Sequence, residues 1–503
     1  MLRSTIKVFS VTLLSSFVLV GCGGSSTTTD NTELDIELVE MMRVNNISGD
    51  PASERDLPDI SEPLPQLGKL LFFSKALSGD QDTACVSCHH PMLGGGDDLP
   101  LAIGVAAVDP DLLGPGRIHD PFGIEWDGGP TMPRNVPTVF NVGLHDQAMF
   151  WDGRVSSIGK TPNTNGDDGL GIQTPDSGLD LADPNVGDTL ADAVAHFPIL
   201  PDVEMRGFEF GAGQGNIAIR DRLAARIGNY GDGLDELATN NWLPEFQKAF
   251  QRNETAESLI TYNNIGKAIG EYMRSQTFVS IPWREYAEGD SEAISKSAKR
   301  GALLFFKPIE DKGANCASCH SGDFFTDELN HVVAVPQIGR GKGNGITGDD
   351  DFGRFNETQD LKDMYAFRTP TLLNVTATGP WGHSGAFESL ESMVRHHLNV
   401  EESVAAFDYL QISQEGIQTS NALANTENAV DQLLAYRASN TQNVLQDAKL
   451  SESEVGDLLA FLGTLTDPCV EDRECVSPWI AENEDPNPDN LRVIAIDVDG
   501  NLL

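Results

Sequence analysis

The chain has 503 residues, with 34 Lys and Arg against 76 Asp and Glu and a formal charge of -42. A field of that sign argues against binding nucleic acid or an anionic membrane surface by electrostatics, and it favours basic partners. The length exceeds one ordinary core, so two domains with extensions are expected, and 49 Gly and 27 Pro predict long loops.

The N-terminal residues read as an export signal. Arg3 and Lys7 form a short basic region, and Val8 to Val20 is an apolar run too short to span a bilayer comfortably. The run ends in Leu19-Val20-Gly21-Cys22, which resembles a bacterial lipobox. Residues 1–21 are therefore expected to be removed and Cys22 lipidated, which attaches a periplasmic protein to a membrane. Losing Arg3 and Lys7 makes the remainder more acidic still. Gly23 to Asn31 reads as a flexible tether, and Thr32 to Val44 has helical amphipathic spacing, so residues 22–49 form a tether plus helix.

A short module occurs twice. Gly68-Lys69-Leu70-Leu71-Phe72-Phe73 precedes Cys85-Val86-Ser87-Cys88-His89, and Gly301-Ala302-Leu303-Leu304-Phe305-Phe306 precedes Cys316-Ala317-Ser318-Cys319-His320. The duplication predicts two related domains, residues 50–285 and 286–466. Between Val155 and Asp188 a Gly/Asp/Pro/Asn-rich stretch reads as a surface insertion loop (155–188). Helical patterns cover Glu257 to Ser275, Leu390 to Leu398 and Ser451 to Leu465, the last opened by a capping box at Ser451 or Ser453. Gly339 to Gly353 is a Gly/Asp-rich loop without EF-hand spacing, read as solvated rather than calcium-binding. Clear alternating strand runs are scarce. The predicted fold is mainly α, two cytochrome c-like haem domains with long loops and few short strands.

That assignment rests on the two Cys-x-x-Cys-His runs. Two thiols one turn apart add to the two haem vinyl groups, and the next histidine is held beneath the iron. A zinc site or redox disulfide leaves the following histidine unexplained. Cys85, Cys88, His89, Cys316, Cys319 and His320 therefore hold two covalently attached c-type haems. Of the seven cysteines, Cys22 is then the lipid site, and Cys469 and Cys475 remain to form a local disulfide in the C-terminal extension 467–503. An electron wire has both irons capped on both sides, whereas an enzyme leaves one open. The remaining histidines are therefore informative: His90, His119, His145, His196, His331, His383, His396 and His397.

Over residues 60–466 the sequence resembles the bacterial dihaem cytochrome c peroxidases and their MauG-like relatives. The likeness is carried by both haem motifs and by Arg134-Asn135-Val136-Pro137-Thr138-Val139-Phe140-Asn141, Phe150-Trp151-Asp152-Gly153-Arg154 and Pro201-Asp202-Val203-Glu204-Met205. It continues in Phe367-Arg368-Thr369-Pro370-Thr371-Leu372-Leu373-Asn374 and Gly379-Pro380-Trp381-Gly382-His383-Ser384-Gly385. The resemblance implies that His89 serves the peroxidatic haem and His320 the electron-transfer haem. It places Trp151 between the haems and Glu204 in the distal pocket as the proton-handling carboxylate. Asn135, Thr378 and Pro380 match the family's calcium site. Pro198 matches a distal proline, but Val194 stands where a glutamine is usual.

Two departures from the family pattern matter. Fourteen residues after His383, where relatives carry a methionine or tyrosine ligand, this chain has His397, with His396 and Met393 as the alternatives. His320/His397 ligation is expected to lower the haem potential relative to methionine. The stretch Leu93 to Val108 has no histidine to cap the first iron. The implied activity is reduction of hydrogen peroxide with electrons from a small cytochrome c or copper protein (a cupredoxin), in a lipid-anchored periplasmic enzyme that is a homodimer in some family members. Two other readings stay open. One is a MauG-like oxidase acting on a protein or organic substrate, and the other is a non-catalytic dihaem conduit in which His119, His145 or His196 caps the first iron.

Overall fold

The computed structural model describes residues 26–124, 126, 128–439 and 443–503, with side chains from residue 33. The signal segment 1–21 and Cys22 lie outside the described residues. The described residues are mainly helical, with five short strands among them.

Six helices position the site: α1 (Ser26–Val44), α2 (Pro63–Phe72), α3 (Tyr262–Ser275), α4 (Lys296–Phe306), α5 (Leu390–Leu398) and α6 (Glu452–Gly463). Their starts follow from local chemistry. Pro63 sits in the first turn of α2, where its missing N–H costs nothing. Side chains of Thr261, Ser295, Ser389 and Ser451 accept from the first-turn N–H groups of α3, α4, α5 and α6. Ser451 and Glu454 form the reciprocal box. The cap at Thr261 also divides the expected helix Glu257–Ser275, leaving Ala256–Leu259 as a separate turn. At the N-terminus, α1 begins at Ser26, inside the stretch expected to be tether.

The repeated glycine has one physical role in both copies. In α2, a Cβ on Gly68 would lie 1.9 Å from the Ala268 carbonyl oxygen of α3. In α4, a Cβ on Gly301 would lie 1.9 Å from the Asp457 carbonyl oxygen of α6. Each module is therefore a helix crossing at backbone contact, followed by the cysteine turn.

Two main cores result. The first gathers Leu67, Leu71, Phe72, Leu190, Ile265, Tyr272 and their neighbours, and the second Trp283, Ala302, Phe305, Leu458 and Phe461. The termini cross over. Leu38 and Met42 of α1 join the second core, with Lys299 paired to Asp35 at 2.6 Å. The C-terminal extension returns to the first core. Lys69 meets Asp485 at 2.9 Å, and Asp489 accepts from Ser74 Oγ (2.6 Å) and Trp242 Nε1 (3.0 Å). Cys469 and Cys475 are bonded within this strap.

Strands β1 (Ala148–Met149), β2 (Val155–Ser157) and β3 (Ile172–Gln173) form a small antiparallel sheet, and β4 (Asn330–His331) pairs with β5 (Phe367–Arg368). The stretch 155–188 is thus not simply a surface loop: Val155, Ile172 and Val186 are buried. Asp146 pins it by accepting from the N–H groups of Asn163, Thr164 and Asn165.

Because both glycines sit at backbone contact, Gly68→Ala and Gly301→Ala are each expected to cost about 1–3 kcal/mol or more in denaturant unfolding of the holoprotein. Gly456→Ala, facing open space on α6, serves as the control and should be tolerated.

Candidate functional site

Each module delivers its cysteines on a single 3-10 turn, Cys85–Ser87 and Cys316–Ser318. The next histidine closes the turn, with His89 N–H donating to the Cys85 carbonyl (3.1 Å) and His320 N–H to the Cys316 carbonyl (2.9 Å). Both rings are then fixed through Nδ1, His89 to the Gly95 carbonyl and His320 to the Phe325 carbonyl, each at 3.1 Å. That leaves Nε2 free to ligate, and burial pushes both imidazoles down to about 4, which favours the neutral form a metal ligand needs.

Each turn borders a largely apolar cavity. The first is walled by Phe72, Leu77, Cys85, Cys88, His89, Met149, Tyr262, Ile269 and Met273, and the second by Phe305, Cys316, Cys319, His320, Leu372, Val394, His397 and Leu458. Unbridged thiols beside a neutral histidine on an apolar wall fit covalently attached haem in both places.

The second cavity has a histidine on each side. The rings of His320 and His397 are 6.5 Å apart, and His397 Nδ1 is tied to the Met393 carbonyl at 2.9 Å. Two imidazoles on one iron, each bonded at about 2 Å, require ring centres roughly 6 Å apart. His396, the neighbouring alternative, has both ring nitrogens engaged, by Ser403 Oγ (3.1 Å) and the Val333 carbonyl (2.8 Å). Met393 also borders the cavity.

The first cavity is different. Its lining also includes Glu204, Met205, Pro198, Val194, Met132, Arg154 and Lys342. Glu204 lies on a single π-helical turn, Asp202–Arg206. The 97–108 segment abuts this turn through Gly104, whose Cβ would lie 2.3 Å from the Glu204 carbonyl oxygen. Burial raises the Glu204 carboxyl to about 7, against the pull of Arg154 and Lys342. His89 and His145 are the histidines on this cavity's lining. His119 instead stacks on Trp126 (5.3 Å), and His196 is held by the Asp192 carbonyl (2.9 Å) and Asn263 (3.4 Å).

Asn135 to Thr138, His145, Trp151 and Arg368 border both cavities. Trp151 is fixed by its indole N–H, which donates to the Asn135 carbonyl at 2.9 Å. His145 Nδ1 contacts Glu328 Oε2 at 3.3 Å. Asn135, Thr378 and Pro380 all border the second cavity, and the Asn135 amide nitrogen donates to the Leu99 and Pro100 carbonyls. The aspartates of loop 339–353 are occupied by protein partners. Asp351 chelates Arg134 at 2.6 and 2.8 Å, and Asp350 accepts from Tyr365 at 2.9 Å.

Sequence reasoning assigned no role to Lys342, Arg154 or the Arg134–Asp351 pair. Arg134 and Arg154 stand inside quoted motifs, but Lys342 is one lysine in a glycine-rich loop with no local signal.

Residues 62–292 match the family model described as di-haem cytochrome c peroxidase. A cytochrome-c peroxidase, IdrP2, of Pseudomonas sp. is 26% identical over 379 residues, covering 69% of this chain and 79% of the relative. Methylamine utilization protein MauG of Methylorubrum extorquens is 27% identical over 335 residues (66% and 67%), and cytochrome c551 peroxidase of Pseudomonas aeruginosa 27% over 338 (67% and 71%). Among solved structures, a MauG-like protein associated with microbial copper homeostasis superposes with TM-score 0.52 at 22% identity, covering 85% of this chain and 94% of that one. The diheme peroxidase BthA from Burkholderia thailandensis gives TM-score 0.51 at 20% identity, covering 87% and 92%. At these identities the structural likeness is one of fold.

The different placements of His396 and His397 predict opposite spectra for their variants. His397→Ala should convert the second haem from low-spin to high-spin in electron paramagnetic resonance, whereas His396→Ala should leave it low-spin. The reverse pattern would move the ligand to His396.

Proposed function

We propose that this chain, an oxidoreductase of the di-haem cytochrome c peroxidase family, reduces hydrogen peroxide to water with electrons from a small periplasmic redox protein. The observation that carries the reading is Glu204: a half-buried carboxyl, raised to about 7, on the cavity of His89, where His145 is the one other histidine of the lining. Haem, when bound at each cysteine turn, supplies the redox chemistry.

The chain's own groups supply the rest. Ionised Glu204 takes a proton from one peroxide oxygen and returns it to the departing one, so that uptake of two electrons and two further protons yields two waters. Apolar walls exclude bulk water, which strengthens the hold of this carboxylate on the proton. Trp151, bordering both cavities, lies where charge passes from the His320 side to the His89 side. His320 and His397 would hold the iron of the second haem, which would then serve as an electron relay. Asn135, Thr378 and Pro380 offer hard oxygens suited to one calcium ion between the domains. Lipid on Cys22 would hold the enzyme at the periplasmic face of a membrane; no helix among the described residues is long and apolar enough to cross one.

MauG relatives match at similar identity, which supports a second reading, oxidation of a protein or organic substrate at the same haem. Electron-donor screening separates the two, because only the peroxidase turns over with peroxide and a reduced donor alone.

Glu204→Gln should retain both haems yet lose about 10²–10⁴-fold of peroxide turnover. Below its pKa Glu204 is protonated and cannot accept a proton, so the wild-type rate should rise with pH through about 7. The variant should lack this limb. Unchanged turnover, or a resting protein with both haems low-spin, would remove the proposal. Separately, Cys22→Ala should abolish metabolic labelling by fatty acid and release the protein from membranes; continued labelling would refute the anchor.

A further inference from the structure

Loop 339–353 comes from the second half of the chain, yet Lys342 borders the first cavity beside Arg154 and Glu204. The loop is held there by two contacts across the domain boundary. Asp351 chelates Arg134, and Arg354 Nη1 donates to the Asp152 and Gly153 carbonyls at 2.8 and 2.7 Å. Within the loop, Lys342 N–H donates to the Asp350 carbonyl at 2.9 Å. The adjacent Gly341 has φ +57° and no room for a Cβ, which would lie 2.4 Å from the Asp349 carbonyl oxygen. The backbone that carries Lys342 is therefore tightly set.

Around Glu204 the charged groups divide by element. Its own turn contributes Asp202 and Arg206, which pair with each other at 3.5 Å. Asp97 and Arg117 stand on the side of the Cys88 thiol. The 150–154 segment contributes Arg154, and loop 339–353 contributes Lys342. Arg154 is committed elsewhere, to Asp152 at 3.1 Å and over the Phe150 ring at 3.7 Å. Asp152 and Asp351 are both bound by Arg134, and half-buried Glu357 faces Arg154 and Lys342 as well. Arg154 pulls harder on Glu204 but is ion-paired; Lys342, itself exposed, is the cation facing Glu204 that makes no ion pair among the described residues.

Resting on the peroxidase reading, we propose that Lys342 is the positioning residue of the distal site: its ammonium, delivered across the domain boundary, holds Glu204 as the carboxylate that accepts the peroxide proton. Burial alone would leave this carboxyl protonated at neutral pH, and a nearby cation favours the ionised form. The arrangement makes proton handling at the first haem depend on the second domain being seated.

The test is the reduction potential of the first haem in the holoprotein, followed against pH, for wild type, Glu204→Gln, Lys342→Met and Lys342→Arg. Wild type should show a break near 7, and Glu204→Gln none. Lys342→Met should move the break up by about one pH unit, a tenfold change in proton affinity, while Lys342→Arg restores it. The second haem's potential should not follow. Lys342→Gln takes the place of Lys342→Met if that variant does not load haem. A break that stays put without the lysine, persists without Glu204, or moves equally with arginine overturns the proposal. Absence of peroxide turnover in the wild type would sink the peroxidase reading instead, and the break would still judge Lys342.

Discussion

Arg134 is the constraint on which the site depends. Its guanidinium is buried and reaches Asp152 at 2.5 Å and Asp351 at 2.6 Å, one acid from each half of the chain. Mutual attraction holds both carboxylates ionised and the guanidinium charged, against the burial that opposes all three. Such a network is worth little as net stability, but removing one member strands buried charge at about 3–5 kcal/mol. Its value is positional. Asn135 follows Arg134 directly, Trp151 and Arg154 flank Asp152, and Asp351 anchors the loop of Lys342. One guanidinium therefore sets the inter-cavity tryptophan, its carbonyl partner and both cations of the distal site.

Beneath that clamp, the duplicated module shows how one local design serves two purposes. A glycine crossing, a 3-10 cysteine turn and a histidine tied through Nδ1 recur with closely similar hydrogen bonds. The proximal halves are nearly equivalent, so the difference between the cavities lies in what faces them. Helix α5 brings His397 to within one iron's span of His320, whereas a π-helical turn brings a carboxyl to the His89 cavity. A π turn is a local departure from regular helix that often marks functional positions. Functional asymmetry here comes from distal elements that the repeat does not include.

This explains what was legible beforehand. The haem turns, the helical modules and the capping box at Ser451 are written in residues a few positions apart, so spacing alone reveals them. His397 was readable only by counting from a family motif, and deciding against His396 required seeing both nitrogens of its ring already bonded. The crossing of the termini was not legible. Nothing within α1 says that Leu38 and Met42 cover the second core, and nothing near Asp485 and Asp489 names Lys69, Ser74 and Trp242 as partners more than 200 residues away. The 155–188 stretch misled for a related reason. Its polar composition suggests solvent, but its backbone donors are satisfied by the buried Asp146, which composition cannot reveal.

The charge distribution ties these levels together. The protein carries -42 overall, yet Arg134, Arg154, Lys342 and Arg368 all border the first cavity. An acidic exterior attracts basic partners, while buried Arg134 and Arg368 and half-buried Arg154, joined at the rim by exposed Lys342, favour negative charge inside. The two fields do not cancel, because surface charges act through water and salt and the enclosed ones through protein. Glu204 sits where these influences meet. Burial pushes its carboxyl up and the neighbouring cations pull it down, leaving it near the pH at which a group both takes and returns a proton readily. A carboxylate on the open surface would stay ionised and return protons poorly; one buried without cations would rarely be free to accept them.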